Sequence, residues 1–321
     1  LLLMFSSVLW SILFKRILKD ALPDWCYLIF ACLFISNPLI SEVFTYFLHN
    51  GVAIGYTCSA LSLLCFLEGL EKRLELRPLL LSALFIWIAI GCYESFAVVF
   101  LVMSLFILLM KRVCGDTPHP ILSVLKIGGI LVCAIIFRSL INHALILIFS
   151  LQELVDRAEQ RSIGEMLGWL FHEEGIANLK MAIKRTLVMY GVFAYHYLPI
   201  AMYVLAVITV VLCSVWKTIR RKDLWISVYM IGIFIASWLL VFISGDVTLY
   251  RSCQFLPLFV ASGFLLFMYV FKEQWKKPVR YALVLIAAVL IWNQTADMNN
   301  WFYIDYRKYE NSRETLLNVA L

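Results

Sequence analysis

Ser36-Asn37-Pro38-Leu39-Ile40-Ser41-Glu42-Val43-Phe44-Thr45-Tyr46 sets a carboxylate among apolar and aromatic neighbours just past a proline. Ionisable residues in such surroundings are costly and mark functional sites, and desolvation tunes a carboxyl toward general-base work. Pro38 frees backbone groups and lets the chain turn toward a cavity. Glu42 therefore reads as a base or a sugar-binding acid, with a carboxylate snorkelling to water as the plainer alternative. Tyr93-Glu94-Ser95 is so tight a link between two apolar runs that Glu94 must stand at their mouth. There Tyr93 and Glu94 bind a sugar hydroxyl, or they mark a helix end. Arg251 follows Gly245-Asp246. The planar fork of an arginine pairs bidentately with phosphate oxygens, so Arg251 reads as a phosphate ligand with Asp246 beside it. The alternative is an Asp246–Arg251 salt bridge that staples two helices. Arg138, followed by Asn142 and His143, either faces the same cavity or anchors an interface. His172-Glu173-Glu174 lacks a second histidine at i+4, so no metal site is expected. No GxGxxG, Walker, GxSxG or HExxH pattern supports a nucleotide-driven or hydrolase class.

The elements that must position these groups are membrane helices. The 321 residues are 63% hydrophobic and 15% charged, with a mean hydropathy of +0.89. Soluble domains sit near ~45–50% apolar and ~25% charged, and an excess of this size cannot be hidden in a water-soluble core. A soluble enzyme, a disordered chain and a coiled coil are excluded. The apolar runs are continuous rather than alternating, which excludes a β-barrel. The net charge of +6 lies in short clusters between apolar runs, so no nucleic-acid partner is expected. The nine cysteines show no CxxC pairing and read as small hydrophobes.

The fold class that follows is all-α, a polytopic transmembrane bundle of about ten spans. The apolar runs are Leu1–Phe14, Trp25–Phe44, Val52–Leu67, Leu79–Cys92, Phe96–Met110, Ile121–Phe137, Leu198–Trp216, Leu224–Ser244, Cys253–Phe271 and Tyr281–Trp292. One set of connections is basic, carrying Lys15, Arg16 and Lys19, then Lys72, Arg73 and Arg77, then Lys111 and Arg112, then Lys217 to Lys222, then Lys272 to Arg280. The short connections of the other set hold one basic residue, Arg251. Lys and Arg accumulate on the cytoplasmic side, so Glu42, Glu94, Asp246 and Arg251 are expected outside.

Residues 1–321 read as a single integral membrane domain. The first run is short for a span and the chain opens on Leu, so an N-terminal span and the first external loop are expected upstream. Residues 138–197 form an external segment and residues 293–321 an external tail. Ile163, Met166, Leu167, Leu170 and Phe171, and then Ile176, Leu179 and Ile183, are spaced as short amphipathic helices at the membrane surface. They roof a lipid head-group site or merely cap the bundle. Leu140–Phe149 reads as a re-entrant or interfacial piece.

The run from Ser36 to Phe44 resembles the second external loop of the glucosyltransferase II (Gtr-type) membrane proteins, which are associated with bacterial O-antigen glucosylation. Arg251 with Pro257 beyond it looks like that family's Arg-then-Leu-Pro helix start, and Trp301 to Glu310 like its external aromatic-acidic segment. Tyr93-Glu94-Ser95 stands where the family usually shows Tyr-Gln-Ser, so Glu94 is a departure. The resemblance implies a GT-C-like glycosyltransferase of the bacterial inner membrane, crossing it many times. Such an enzyme moves a sugar, here glucose, from a polyprenyl-phosphate donor to a cell-surface glycan such as O-antigen of lipopolysaccharide. Its partners are membrane lipid, the lipid-linked sugar and the glycan acceptor. The lipid carries the activated sugar, so no cofactor is needed, while a divalent metal stays open. The base of GT-C enzymes usually lies in the first external loop, which would precede Leu1. The competing class is a lipid-linked-sugar flippase or secondary transporter, which places charges near the midplane and repeats in halves. A non-catalytic scaffold is the third reading.

Overall fold

The computed structural model describes residues 1–19, 21–37, 39–40, 51–71, 75–149, 175–191, 197–244, 253–272 and 277–320. Among them every regular element is a helix. In chain order these are α1 (Leu2–Leu18), α2 (Asp24–Ile35), α3 (Gly51–Glu71), α4 (Arg77–Cys92), α5 (Phe96–Cys114) and α6 (Pro120–Phe149). They continue as α7 (Gly175–Gly191), α8 (Tyr197–Arg221), α9 (Leu224–Ser237), α10 (Leu239–Ser244), α11 (Phe255–Phe271) and α12 (Lys277–Ala320). Among the described residues five helices are long and apolar enough to cross a membrane: Gly51–Glu71, Phe96–Cys114, Pro120–Phe149, Tyr203–Arg221 and Tyr281–Asn300.

Helix α5 is the axis of the bundle. Its sequence is apolar all round, which suits a helix enclosed on every side, and 89% of its central window is buried. It packs against α1, α3, α4, α9 and α11. Aromatic rings stitch these contacts edge to face. Phe106 meets Phe14 and Phe259, each with centroids 6.3 Å apart, and Phe66 meets Phe100 at the same distance. Small residues let the backbones approach. Ser62 of α3 donates to the Ser82 carbonyl of α4 at 2.8 Å. A methyl group on Gly55 would run into the Phe96 ring. Around the outside, Leu125, Val132, Ile136, Leu147, Leu212, Ile219, Leu285 and Trp292 are exposed, an apolar belt that a bilayer would cover.

The basic connections meet at one end. Arg16 pairs with Glu71 at 2.6 Å, and Lys111 reaches the same Glu71 at 3.9 Å and Asp116 at 2.7 Å. Arg112 pairs with Asp223 at 2.7 Å, and Arg221 donates to the Arg112 carbonyl. Asp223 also caps α9 by accepting from the Trp225 amide at 3.1 Å. The alternation of charge along the chain thus has a spatial counterpart, with Arg16, Glu71, Lys111, Arg112, Arg221 and Asp223 on one face of the bundle.

Three elements differ from the runs read in sequence. The run Leu224–Ser244 is broken: α9 stops at Ser237, and Trp238 at φ −98° and ψ 3° separates it from α10. Ser237 donates back to the Ile233 carbonyl at 2.8 Å, a bond that bends helices. The run Trp25–Phe44 ends its helix at Ile35, because the Asn37 side chain takes the Leu39 amide at 3.1 Å and starts a new turn. Leu140–Phe149, expected to be separate, continues α6 without a break over 30 residues, about 45 Å of helix. With a hydrocarbon core of about 30 Å, α6 has a turn or more to spare beyond Arg138.

Candidate functional site

At the end opposite the basic cluster, a cavity of about 340 Å³ opens between the α4–α5 link, α6 and α10. Its lining is Ile90, Gly91, Cys92, Tyr93, Glu94, Ser95, Arg138 and Leu240. Three elements build it. Tyr93 leaves α4 in an extended conformation at φ −163° and ψ 128°, its amide still held by the Ala89 carbonyl. The Phe96, Ala97 and Val98 amides then return to the carbonyls of Tyr93, Glu94 and Ser95, so α5 begins at once and Glu94 is left at the tip. Arg138 comes from α6, which is held against α4 by the Trp87–Phe137 ring contact at 4.9 Å.

Arg138 Nη2 donates to Glu94 Oε1 at 2.7 Å. The arginine side chain is 29% exposed and the glutamate 70%, so the cation sits in the wall while its partner reaches toward the opening. Ser95 is buried, and among the described residues its hydroxyl has no hydrogen-bond partner. A buried polar group without a partner is rare and costly. The cavity therefore presents a cation, a carboxylate, a phenol and a free hydroxyl on otherwise apolar walls, the lining expected for a polar head on an apolar ligand.

Behind this cavity lies a buried polar cluster that the sequence reading overlooked. Tyr56 of α3 stands between the rings of Phe34 and Phe96, at 5.0 and 5.1 Å. Its hydroxyl donates to the Gln254 side-chain oxygen at 2.6 Å. Ser36 donates to the Gln294 side-chain oxygen at 2.7 Å across 258 residues of sequence, and among the described residues the Gln294 amide nitrogen has no partner. Gln254 and Gln294 are 2% and 0% exposed. Gln254 at the start of its apolar run was a signal that could have found one of them, since a glutamine among apolar residues hydrogen-bonds across helices; Gln294 falls in the stretch expected as an external tail and is instead buried in α12.

Of the residues singled out in sequence, the structure brings Tyr93, Glu94 and Arg138 together. His143 does not line the cavity. It lies five residues beyond Arg138, about 140° around the helix, and is exposed. Glu42, Asp246 and Arg251 lie outside the described residues, as do His172, Glu173 and Glu174, and the stretch Ile163–Phe171. The chain returns at Gly51, where an added methyl group would touch Cys92, and at Cys253 beside Gln254. The second expected amphipathic stretch is helical as α7, which packs on α8 and on α10, the helix that supplies Leu240 to the cavity. Ala182 is buried on it, while Ile176 is 73% exposed.

Comparison with curated proteins and with solved structures finds no match. A family model described as Glucosyl transferase GtrII matches residues 1–268. That stretch runs from α1 through most of α11 and includes Tyr93, Glu94 and Arg138. The chain belongs to the glucosyl transferase GtrII family, enzymes that transfer glycosyl groups.

Proposed function

We propose that the protein transfers glucose from a polyprenyl-phosphate donor to a glycan such as O-antigen, at the outer side of the bacterial inner membrane. The observation that carries this is the Glu94–Arg138 pair in its cavity, at the end of the bundle away from the clustered cations. By the positive-inside rule the cationic end faces the cytoplasm, so the cavity opens outward. The five long apolar helices, the shorter Asp24–Ile35, Arg77–Cys92, Leu224–Ser237 and Phe255–Phe271, and α1 together supply about ten spans, in a GT-C-like arrangement.

In the reaction an acceptor hydroxyl attacks the anomeric carbon of the donor. The new C–O bond forms as the bond to the phosphate oxygen breaks, and the polyprenyl phosphate leaves with the electron pair. The hydroxyl proton passes to a carboxylate. Glu42, two residues past buried Ile40, is the base or a sugar-binding acid. Arg251, two residues before buried Cys253, and Arg138 meet the negative charge that grows on the leaving phosphate. Asp246 orients Arg251, Tyr93 and Glu94 hold sugar hydroxyls, and His143 serves the approaching acceptor from the α6 extension.

The test is transfer in proteoliposomes loaded with polyprenyl-phosphate [14C]glucose and a glycan acceptor. Label is expected in the acceptor, lost with Glu42→Gln or Arg251→Ala. Label that crosses the bilayer yet never becomes attached to acceptor would instead identify a flippase. Retained transfer in Arg251→Ala, with donor affinity unchanged, removes Arg251 from the phosphate site.

A further inference from the structure

Five buried serines have hydroxyls with no hydrogen-bond partner among the described residues: Ser6, Ser59, Ser95, Ser214 and Ser262. Four of them lie inside helices, where rotation about one bond turns the hydroxyl onto the carbonyl a turn back. Ser95 has no helical turn behind it, because Tyr93 is extended at φ −163°. It alone of the five lines the cavity that holds Glu94 and Arg138, and it is 3% exposed.

A serine just before a helix ordinarily caps it, with extended backbone and its oxygen accepting from the second or third amide. Ser95 precedes α5 yet is itself helical, at φ −60° and ψ −16°, and makes no side-chain cap. The first amides of α5 go elsewhere. Those of Phe96 and Ala97 donate to the Tyr93 and Glu94 carbonyls at 3.1 Å, and those of Val98 and Val99 to the Ser95 carbonyl at 3.0 and 3.1 Å. The backbone thus does the capping and leaves the hydroxyl without a task inside the fold. The position is also fixed, because the adjoining Phe96 ring is wedged against Tyr56 at 5.1 Å and against α3 where Gly55 has no side chain.

The surroundings select the ligand atom. The positive end of the 19-residue α5 falls at Ser95, and Arg138 lines the same cavity. Both favour negative charge. A hydroxyl beside them is a donor for an anionic oxygen, and such a bond removes the cost of a buried polar group with no partner. We propose that Ser95 is a substrate-binding residue whose hydroxyl donates to a phosphate oxygen of the lipid-linked sugar donor. The inference rests on the glucosyl-transfer reading and adds a phosphate ligand to it. Ser95 holds the phosphate together with Arg138, and Tyr93 and Glu94 are left to the sugar.

The experiment compares wild type, Ser95→Ala and Ser95→Cys in three measurements: thermal unfolding in detergent, Kd for polyprenyl phosphate without its sugar, and kcat and KM for polyprenyl-phosphate glucose. Ser95→Ala is expected to unfold at or above the wild-type temperature, since it removes a hydroxyl that the free protein leaves unbonded. Its Kd for polyprenyl phosphate is expected to rise, and its kcat/KM for the donor to fall, by about tenfold or more. Ser95→Cys, similar in shape but a weaker donor, is expected to fall between the two. A Ser95→Ala protein that unfolds at a lower temperature, or does not fold, shows that the hydroxyl is bonded within the protein and overturns the assignment. An unchanged Kd with a raised KM for the donor moves the bond to the sugar and overturns it too. If wild type neither binds polyprenyl phosphate nor transfers glucose, the functional reading fails and takes the inference with it. A wild type that transfers, beside a Ser95→Ala protein of equal Kd and kcat/KM, sinks the serine alone.

Discussion

Arg138 and Glu94, 44 residues apart in sequence, meet at 2.7 Å across the mouth of the bundle. The pair joins the middle of α6 to the tip of the α4–α5 link. Its geometry is that of a cation held in reserve, because the glutamate is exposed enough to be displaced while the arginine is held in the wall. A phosphate offers the guanidinium a stronger partner than one carboxylate, through two parallel hydrogen bonds.

That exchange sets the first prediction. A charge-assisted hydrogen bond contributes about 1.5–3 kcal/mol, so Arg138→Gln is expected to lower kcat/KM for the donor by about 10- to 100-fold. Glu94→Gln, which the family pattern Tyr-Gln-Ser already accommodates, is expected to cost much less. Neither change should alter stability by more than about 1 kcal/mol, because the pair is partly exposed. Transfer kinetics together with thermal unfolding in detergent check this, and an Arg138→Gln protein with wild-type kinetics removes the arginine from the site.

The other end of the bundle obeys different energetics. The side chains of Arg112 and Asp223 are 9% and 17% exposed, and their contact is 2.7 Å. Removing one partner of a buried pair strands the other charge and costs about 3–5 kcal/mol. Asp223 also caps α9 through the Trp225 amide, a contribution of about 1 kcal/mol. Asp223→Ala is therefore expected to lower the unfolding temperature more than Asp223→Asn, which keeps a cap oxygen. Measured in detergent, equal stability of all three proteins would show that this pair does not hold the cationic face together.

The apolar runs and the alternation of charge were legible in sequence because both follow from the bilayer as solvent: continuous hydrophobicity between clusters of Lys and Arg. Glu94 and Arg138 were legible singly, as ionisable groups at run ends. Their pairing was not, because it depends on how α6 is set against α4, which the Trp87–Phe137 contact fixes and composition does not show. The break at Trp238 escaped for a similar reason. Leu224–Ser244 is uniformly apolar, and the Ser237 bond to Ile233 leaves no trace in hydropathy. Tyr56 and Gln254 lie in apolar stretches and Gln294 just past the run Tyr281–Trp292, and hydropathy marks none of the three.

Sidedness is testable without activity. The cationic face should be cytoplasmic, and the residues flanking the cavity should lie on the other side. With single cysteines in a background lacking the native ones, Thr117→Cys is expected to react with an impermeant thiol reagent only from the inside. Glu42→Cys and Arg251→Cys are expected to react only from the outside. Opposite labelling of Glu42→Cys and Arg251→Cys would separate the base from the phosphate ligand and end the proposed mechanism.

Gly91 offers a direct probe of the cavity itself. It sits in the last turn of α4 and lines the cavity, and a Cβ there would meet nothing within 4 Å. A side chain added at this position therefore grows into empty space and displaces no neighbour. Replacing a helical glycine by alanine removes an entropic cost of about 0.5–1 kcal/mol, so Gly91→Ala should fold at least as well as wild type and retain transfer. Gly91→Trp should fold too, yet its indole would occupy the cavity that Glu94 and Arg138 line, and transfer should fall by an order of magnitude or more. The contrast between the two variants separates occlusion from helix destabilisation. A folded Gly91→Trp protein with full activity would place the sugar elsewhere in the bundle.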